Sequence, residues 1–173
     1  MKKFVSMLLP LCLSLLLFSA VAFAAEAPSL PGGTLTADVV SFASKQTYAV
    51  YAAPDSKGIR GANGRARVST NDWIQVFGTD GDWLLVQYAI TDSHFRIGYI
   101  DKKALPEDAQ ISELCLTAIP AVVNYDVVVT DDPLVSQSML TKLTENTRVT
   151  AIGSLGDWTY IEGGEGKSRY RGF

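Results

Sequence analysis

From Thr34 onward, short runs rich in Val, Ile, Thr, Tyr and Trp are separated at short intervals by Gly, Pro, Asn and Asp. Apolar and polar positions that alternate with a period of two mark half-buried strands. The pattern predicts strands near Thr34–Ala43, Thr47–Ala52, Arg65–Ser69, Asp72–Phe77, Trp83–Ile90 and Arg96–Ile100. An all-β chain is therefore expected, folded as a small barrel or sandwich. Asp80-Gly81 sits between two apolar runs, and such a pair tolerates the positive φ angles of a tight hairpin. Asn63-Gly64 is a second turn signal. In the run from Trp83 to Tyr88, alternation puts Leu84, Val86 and Tyr88 on one face and Trp83, Leu85 and Gln87 on the other. If the first face is core, Trp83 points toward a groove or a partner.

The pattern then repeats. Gly78-Thr79-Asp80-Gly81-Asp82-Trp83 returns as Gly153-Ser154-Leu155-Gly156-Asp157-Trp158, and at this offset of 75 residues Val68 falls on Leu143, Ile74 on Val149 and Phe77 on Ile152. Pro54 corresponds to Pro133 at an offset of 79, and Gly98-Tyr99 to Gly172-Phe173. A fixed period means two similar units. In the second copy Leu155 resists positive φ, so its hairpin is expected to be of a different type, with only the glycine left-handed.

Residues 1–24 read as an export signal, with Lys2 and Lys3 at the start, an apolar centre from Met7 to Phe18 and Ala22-Phe23-Ala24 as a cleavage site. The alternative is an uncut membrane anchor; Pro10 and the alanine-rich end favour cleavage, which implies an exported protein with no stable membrane insertion. Residues 25–35, with two prolines and two glycines, read as a linker. Cys12 lies within the signal, leaving Cys115 as the one mature cysteine, so no intrachain disulfide is available. Removing Lys2 and Lys3 takes the basic count from 15 to 13 against 18 acidic residues, a net charge near −5. That excess opposes nucleic acid as a partner, since its affinity comes from clustered Lys and Arg. Residues 107–116 form a connector that reads equally as a short helix opened by Pro106 or as a strand.

A first strand ending in Ala-Ala-Pro-Asp, an apolar strand before Gly-x-x-Gly-Asp-Trp, a strand of the form Trp83-x-x-Val86 and a closing Gly98-Tyr99-Ile100 together resemble the bacterial SH3-like domain. The resemblance covers residues 36–106 and, less completely, 117–173. It implies two small β-barrels in tandem, non-catalytic and typical of exported or envelope proteins, where such domains often bind cell-wall material. The second copy ends at the pair matching Gly98-Tyr99, so its barrel is expected to be incomplete.

Catalysis by a thiol needs a histidine to activate it. Cys115, between Leu114 and Leu116, reads as an inert buried thiol, and His94 as a solvated residue of a hairpin tip. An enzyme is not expected. One cysteine and one histidine do not make a zinc site, and Asp131-Asp132 reads as a solvated turn, so neither metal nor cofactor is expected. The candidates that remain are aromatic: Tyr48, Tyr51, Trp73, Trp83, Tyr99 and Trp158, as linings of a groove for wall peptide, glycan or a protein segment. The alternative to wall binding is an adaptor that joins exported proteins.

Overall fold

The computed structural model describes residues 35, 38–39, 42, 45–134 and 138–173. The expected export signal, the linker up to Thr34 and most of the first expected strand lie outside these residues. The described chain is all-β. Its strands are β1 (Asp38–Val39), β2 (Thr47–Ala49), β3 (Arg67–Ser69), β4 (Ile74–Asp80), β5 (Trp83–Thr91), β6 (His94–Asp101), β7 (Ile119–Val122), β8 (Val127–Val129), β9 (Thr141–Leu143), β10 (Arg148–Leu155), β11 (Trp158–Gly163) and β12 (Tyr170–Gly172). They form two four-stranded sheets, β1-β4-β5-β6 and β12-β11-β10-β7, and two ribbons, β2-β3 and β8-β9. Among the described residues these ladders stay open, and neither unit closes into a barrel. No described helix is long and apolar enough to cross a membrane.

Both hairpins turn on the same two residue types. Asp80 pairs with Trp83 and Leu155 with Trp158, so the turn residues are Gly81-Asp82 and Gly156-Asp157. The glycines have φ of 58° and 55°, a left-handed conformation that costs glycine nothing. The expected difference between the hairpins is therefore absent: Asp80 and Leu155 are the last paired residues rather than turn residues, and Leu155 meets no steric objection. Around Asn63-Gly64 the backbone makes a left-handed turn, with φ of 52° at Ala62, 54° at Asn63 and 82° at Gly64.

The repeat in sequence is a repeat in register. Tyr48 pairs with Val68 as Val127 pairs with Leu143. The β4–β5 ladder shifts between Val76 and Gly78, and the β10–β11 ladder shifts at the matching place between Ala151 and Gly153. Tyr51 and Tyr99 exchange backbone bonds of 2.9 and 2.8 Å, as Thr130 and Phe173 do at 2.9 and 2.9 Å. Close approach explains the glycine before each closing aromatic: a Cβ at Gly98 would lie 2.5 Å from the Val50 side chain, and one at Gly172 2.6 Å from Val129.

The units pack on each other through equivalent surfaces. The face of β5 formed by Leu84, Val86 and Tyr88 joins Val50, Val68, Ile74, Val76 and Ile100 in the first unit's own core. The opposite face meets the other repeat: Leu85, Tyr99 and Ile97 cluster with Tyr160, Phe173 and Ile152, with Trp83 and Leu114 against them. Leu85 and Tyr160 are counterparts, and so are Tyr99 and Phe173. Backbone bonds cross reciprocally. The Ile97 N–H donates to Asp131 O of the second unit at 2.7 Å, and its counterpart Arg171 donates to Ala52 O of the first at 2.7 Å. The Leu114 N–H, in the connector ahead of the second unit, donates to Thr79 O at 2.8 Å, while that of Leu35, ahead of the first, donates to Ser154 O at 3.0 Å. Each unit thus receives the lead-in segment of the other. This is the self-complementary contact of a two-fold dimer, made within one chain. The connector contains no helix; Glu113 bridges to Thr79, and β7 begins at Ile119.

Candidate functional site

Trp83 follows directly on the Gly81-Asp82 turn, and β6 runs beside it as far as Asp101. Past Asp101 the chain makes a short 3-10 turn over Lys102–Ala104, whose start is capped by the Asp101 carboxylate accepting the Lys103 N–H at 2.9 Å. The Lys102 N–H donates to Asp82 O at 2.9 Å and so ties this turn to the hairpin. Between them opens a cleft of about 530 Å³ lined by Asp82, Trp83, Asp101, Lys102 and Lys103. The indole is held edge-to-face by Tyr51, with ring centroids 5.4 Å apart. Arg60 covers the Tyr51 ring at 5.3 Å while its guanidinium donates to Ala66 O at 2.5 Å. A half-buried, fixed indole ringed by exposed ammonium and carboxylate groups can stack on a flat or apolar surface and pair with charges of both signs.

The six aromatic candidates fall in several places. Tyr51 and Trp83 meet at the cleft. Tyr99 pairs with Tyr51 through the backbone, but its ring is buried in the shared core. Tyr48 packs against the first unit's core and donates its hydroxyl to Gln46 Oε1 at 2.7 Å. Trp73 is exposed and meets Phe95 edge-on at 5.0 Å. Trp158 lines a separate groove on the second unit. The charged lining of the cleft carries no motif of its own, although Asp101-Lys102-Lys103 directly after Gly-Tyr-Ile marks the place in the sequence.

Three polar expectations are corrected. Asp131 and Asp132 are 5% and 0% exposed rather than solvated, because β6 of the other unit lies over them. Ser138 donates its hydroxyl to Asp131, the Asp132 N–H donates to Thr130 Oγ1 at 3.0 Å, and Arg96 Nε stands 3.6 Å from Asp131. His94 is not a free hairpin-tip residue: its Nε2 lies 2.9 Å from Asp132 Oδ2. Cys115 is exposed, while its neighbours Leu114 and Leu116 on either side pack against the shared core. Among the described residues no three of His, Cys, Asp and Glu gather as a metal site.

Asp131, which faces Arg96 of the other unit, and Glu162, paired with Arg169 and Arg171 of its own unit, titrate in opposite senses. Burial raises the Asp131 pKa against the opposing pull of Ser138 and Arg96. Burial would raise Glu162 also, but the bonds and charges of Arg171, followed by those of Arg169, outweigh it and lower the pKa. A raised carboxyl favours folding below its unfolded pKa and loses that contribution as pH rises through the folded value; a lowered one contributes above its unfolded pKa and loses that as pH falls. Chemical denaturation from pH 3 to 7 should therefore show Asp131→Asn gaining stability relative to the parent chain as pH rises, and Glu162→Gln losing it. Parallel curves for both variants would refute the assignment.

No family model, curated protein or solved structure matches this chain.

Proposed function

We propose that the chain is an exported, non-catalytic binding module of two SH3-like repeats, and that the cleft beside Trp83 holds short cell-wall peptides. Such peptides combine carboxylates and amines with small apolar side chains. The observation that carries this reading is the lining of the cleft, one fixed indole with Lys102, Lys103, Asp82 and Asp101 around it. Pockets of this kind bind through apolar contact while a few polar groups fix orientation. The shared registers and ladder shifts of the two units support the reading as tandem SH3-like repeats.

The test is sedimentation of the full chain with purified, insoluble peptidoglycan. The parent chain is expected in the pellet, with binding weakened about tenfold by Trp83→Ala, the loss of a central aromatic anchor. Lys102→Glu with Lys103→Glu should weaken binding without touching the fold, since both side chains are exposed. A parent chain that stays in the supernatant would sink the proposal. Binding that ignores the lysines would turn it toward the glycan. A second reading, an adaptor between exported proteins, is favoured by the apolar groove of the second unit.

A further inference from the structure

The sheet face that carries Leu85 and Tyr99 into the shared core runs on to an exposed end. Gln75 pairs with Gln87 and Gln87 with Ile97, so these three side chains form one row across β4, β5 and β6. The next row is Trp73, Ala89 and Phe95: Ala89 pairs with Phe95, and its N–H donates to Trp73 O at 3.3 Å. Ala89 is small enough for the two rings to meet over it, with centroids 5.0 Å apart and planes at 63°. Trp73 is 45% exposed and belongs to none of the three buried clusters. Gln75 and Gln87 are half-buried, and among the described residues their amides have no hydrogen-bond partner. Neither row contains a charge.

Packing does not account for the aromatic pair. The second unit builds the same two rows from Thr150, Glu162 and Arg171, then Arg148, Gly164 and Arg169, with Thr150 paired to Glu162 and Glu162 to Arg171. Arg169 bonds to Glu162 at 3.1 Å, and Arg148, Thr150 and Glu162 line a polar pocket of about 340 Å³. The same backbone thus stands with arginines where the first unit has Trp73 and Phe95.

We propose that this ledge binds a neutral oligosaccharide, with the apolar C–H face of a pyranose on the Trp73 indole and its hydroxyl or acetamido groups on Gln75 and Gln87. The rows lie two residues, about 7 Å, apart along the strands, so a sugar seated on the indole sets its substituents beside the amides. Each carboxamide both donates and accepts, as a polyol or an acetamide requires. Charge sets the class. Asp72 and Asp92 are exposed at the border of the ledge, and with no cation in either row an anionic glycan meets only repulsion. Trp83 lies at the far end of β5, six residues or about 20 Å from Ala89. The ledge is therefore separate from the peptide cleft and does not rest on it.

Chitotetraose, neutral and acetamido-bearing, serves as the probe and is titrated into the full chain while the indole N–H resonances of Trp73, Trp83 and Trp158 are followed. A saturable shift at Trp73 alone is expected. Read from the backbone amides of Ala89 and Phe95, binding should weaken at least about tenfold with Trp73→Ala and about tenfold with Gln75→Ala and Gln87→Ala together. A second measurement needs no variant: tetragalacturonate, of the same length but anionic, should bind at least about tenfold more weakly. Trp83→Ala should leave chitotetraose binding unchanged, so failure here is distinct from failure of wall-peptide binding. The proposal is overturned if the Trp73 resonance does not move, if the shift falls at Trp83 or Trp158, if tetragalacturonate binds as tightly, or if sedimentation shows a Trp73-dependent dimer in which a second copy covers the ledge. Binding that emerges only on removal of residues 1–34 would overturn it equally, because the chain itself would then be the occupant.

Discussion

The Leu85→Asp chain is expected to have no folded population, and its loss should be felt in both repeats at once. Leu85 is fully buried in the cluster where the two units meet, against Tyr160, Phe173 and Ile152. Burying an unpaired carboxylate there costs several kcal/mol on top of the lost apolar contact, against a total stability of about 5–15 kcal/mol for a typical domain. The milder Leu85→Ala keeps the measurement quantitative: a cost of about 2–5 kcal/mol is expected. The exposed Thr91 on the same strand serves as control, since Thr91→Asp should stay within about 0.5 kcal/mol of the parent. Denaturation followed by probes in each unit should show one shared transition. If Leu85→Ala unfolds at the parent's midpoint, the shared core is not the structural element described above.

Arg171→Met should cost about 2–4 kcal/mol, by a different mechanism. The Arg171 guanidinium donates to Asp80 of the other unit at 2.5 Å, to the Tyr99 hydroxyl at 2.7 Å and to Glu162 at 2.6 Å. Burial opposes its charge, but Tyr99 and Glu162 more than offset this and hold its pKa above the usual value. Truncation takes the Arg171 partner from Asp80 and leaves Glu162 with Arg169 alone, and because Asp80 and Glu162 keep 32% and 28% of their side-chain exposure, water softens the penalty. In a double-mutant cycle with Asp80→Asn, a coupling energy of about 1 kcal/mol or more is expected, as for groups that share one network. Strict additivity would show that the Arg171–Asp80 pair contributes nothing to stability.

Much of the fold was legible along the sequence, because hairpins and strand alternation are local. The face division of β5 follows from period two, and the offset of 75 residues between the two Gly-Asp-Trp motifs foretold matching ladders. What the sequence hid lies between the repeats. Asp131-Asp132-Pro133 looks like a surface turn until β6 of the other unit lies over it, and the same contact half-buries His94 against Asp132. Cys115 misled in the opposite sense, since apolar neighbours suggest burial only if the alternation across Leu114, Cys115 and Leu116 is ignored. At the Trp83 cleft the aromatic was visible, but its charged ring depends on a turn that brings Lys102 back to Asp82, a tertiary contact that no local pattern encodes. The hairpin turn was misplaced by one residue because Asp80-Gly81 and Gly81-Asp82 overlap in the first motif.

The reciprocal placement of Leu35 on Ser154 and Leu114 on Thr79 governs the order of events during folding. A chain that emerges from its amino end presents Leu35 long before Ser154 exists, so the first repeat can form its local hairpins and receive Leu114 at its edge but cannot cover its buried face until the second repeat is made. The contacts that complete the molecule span most of its length, and closing such loops is slow because the entropy is lost before the contact forms. Hairpin formation should therefore be early and fast, and the joining of the halves late and rate-limiting. A half-made chain would carry exposed Leu85 and Tyr99 in the meantime, the kind of surface that holdase chaperones retain.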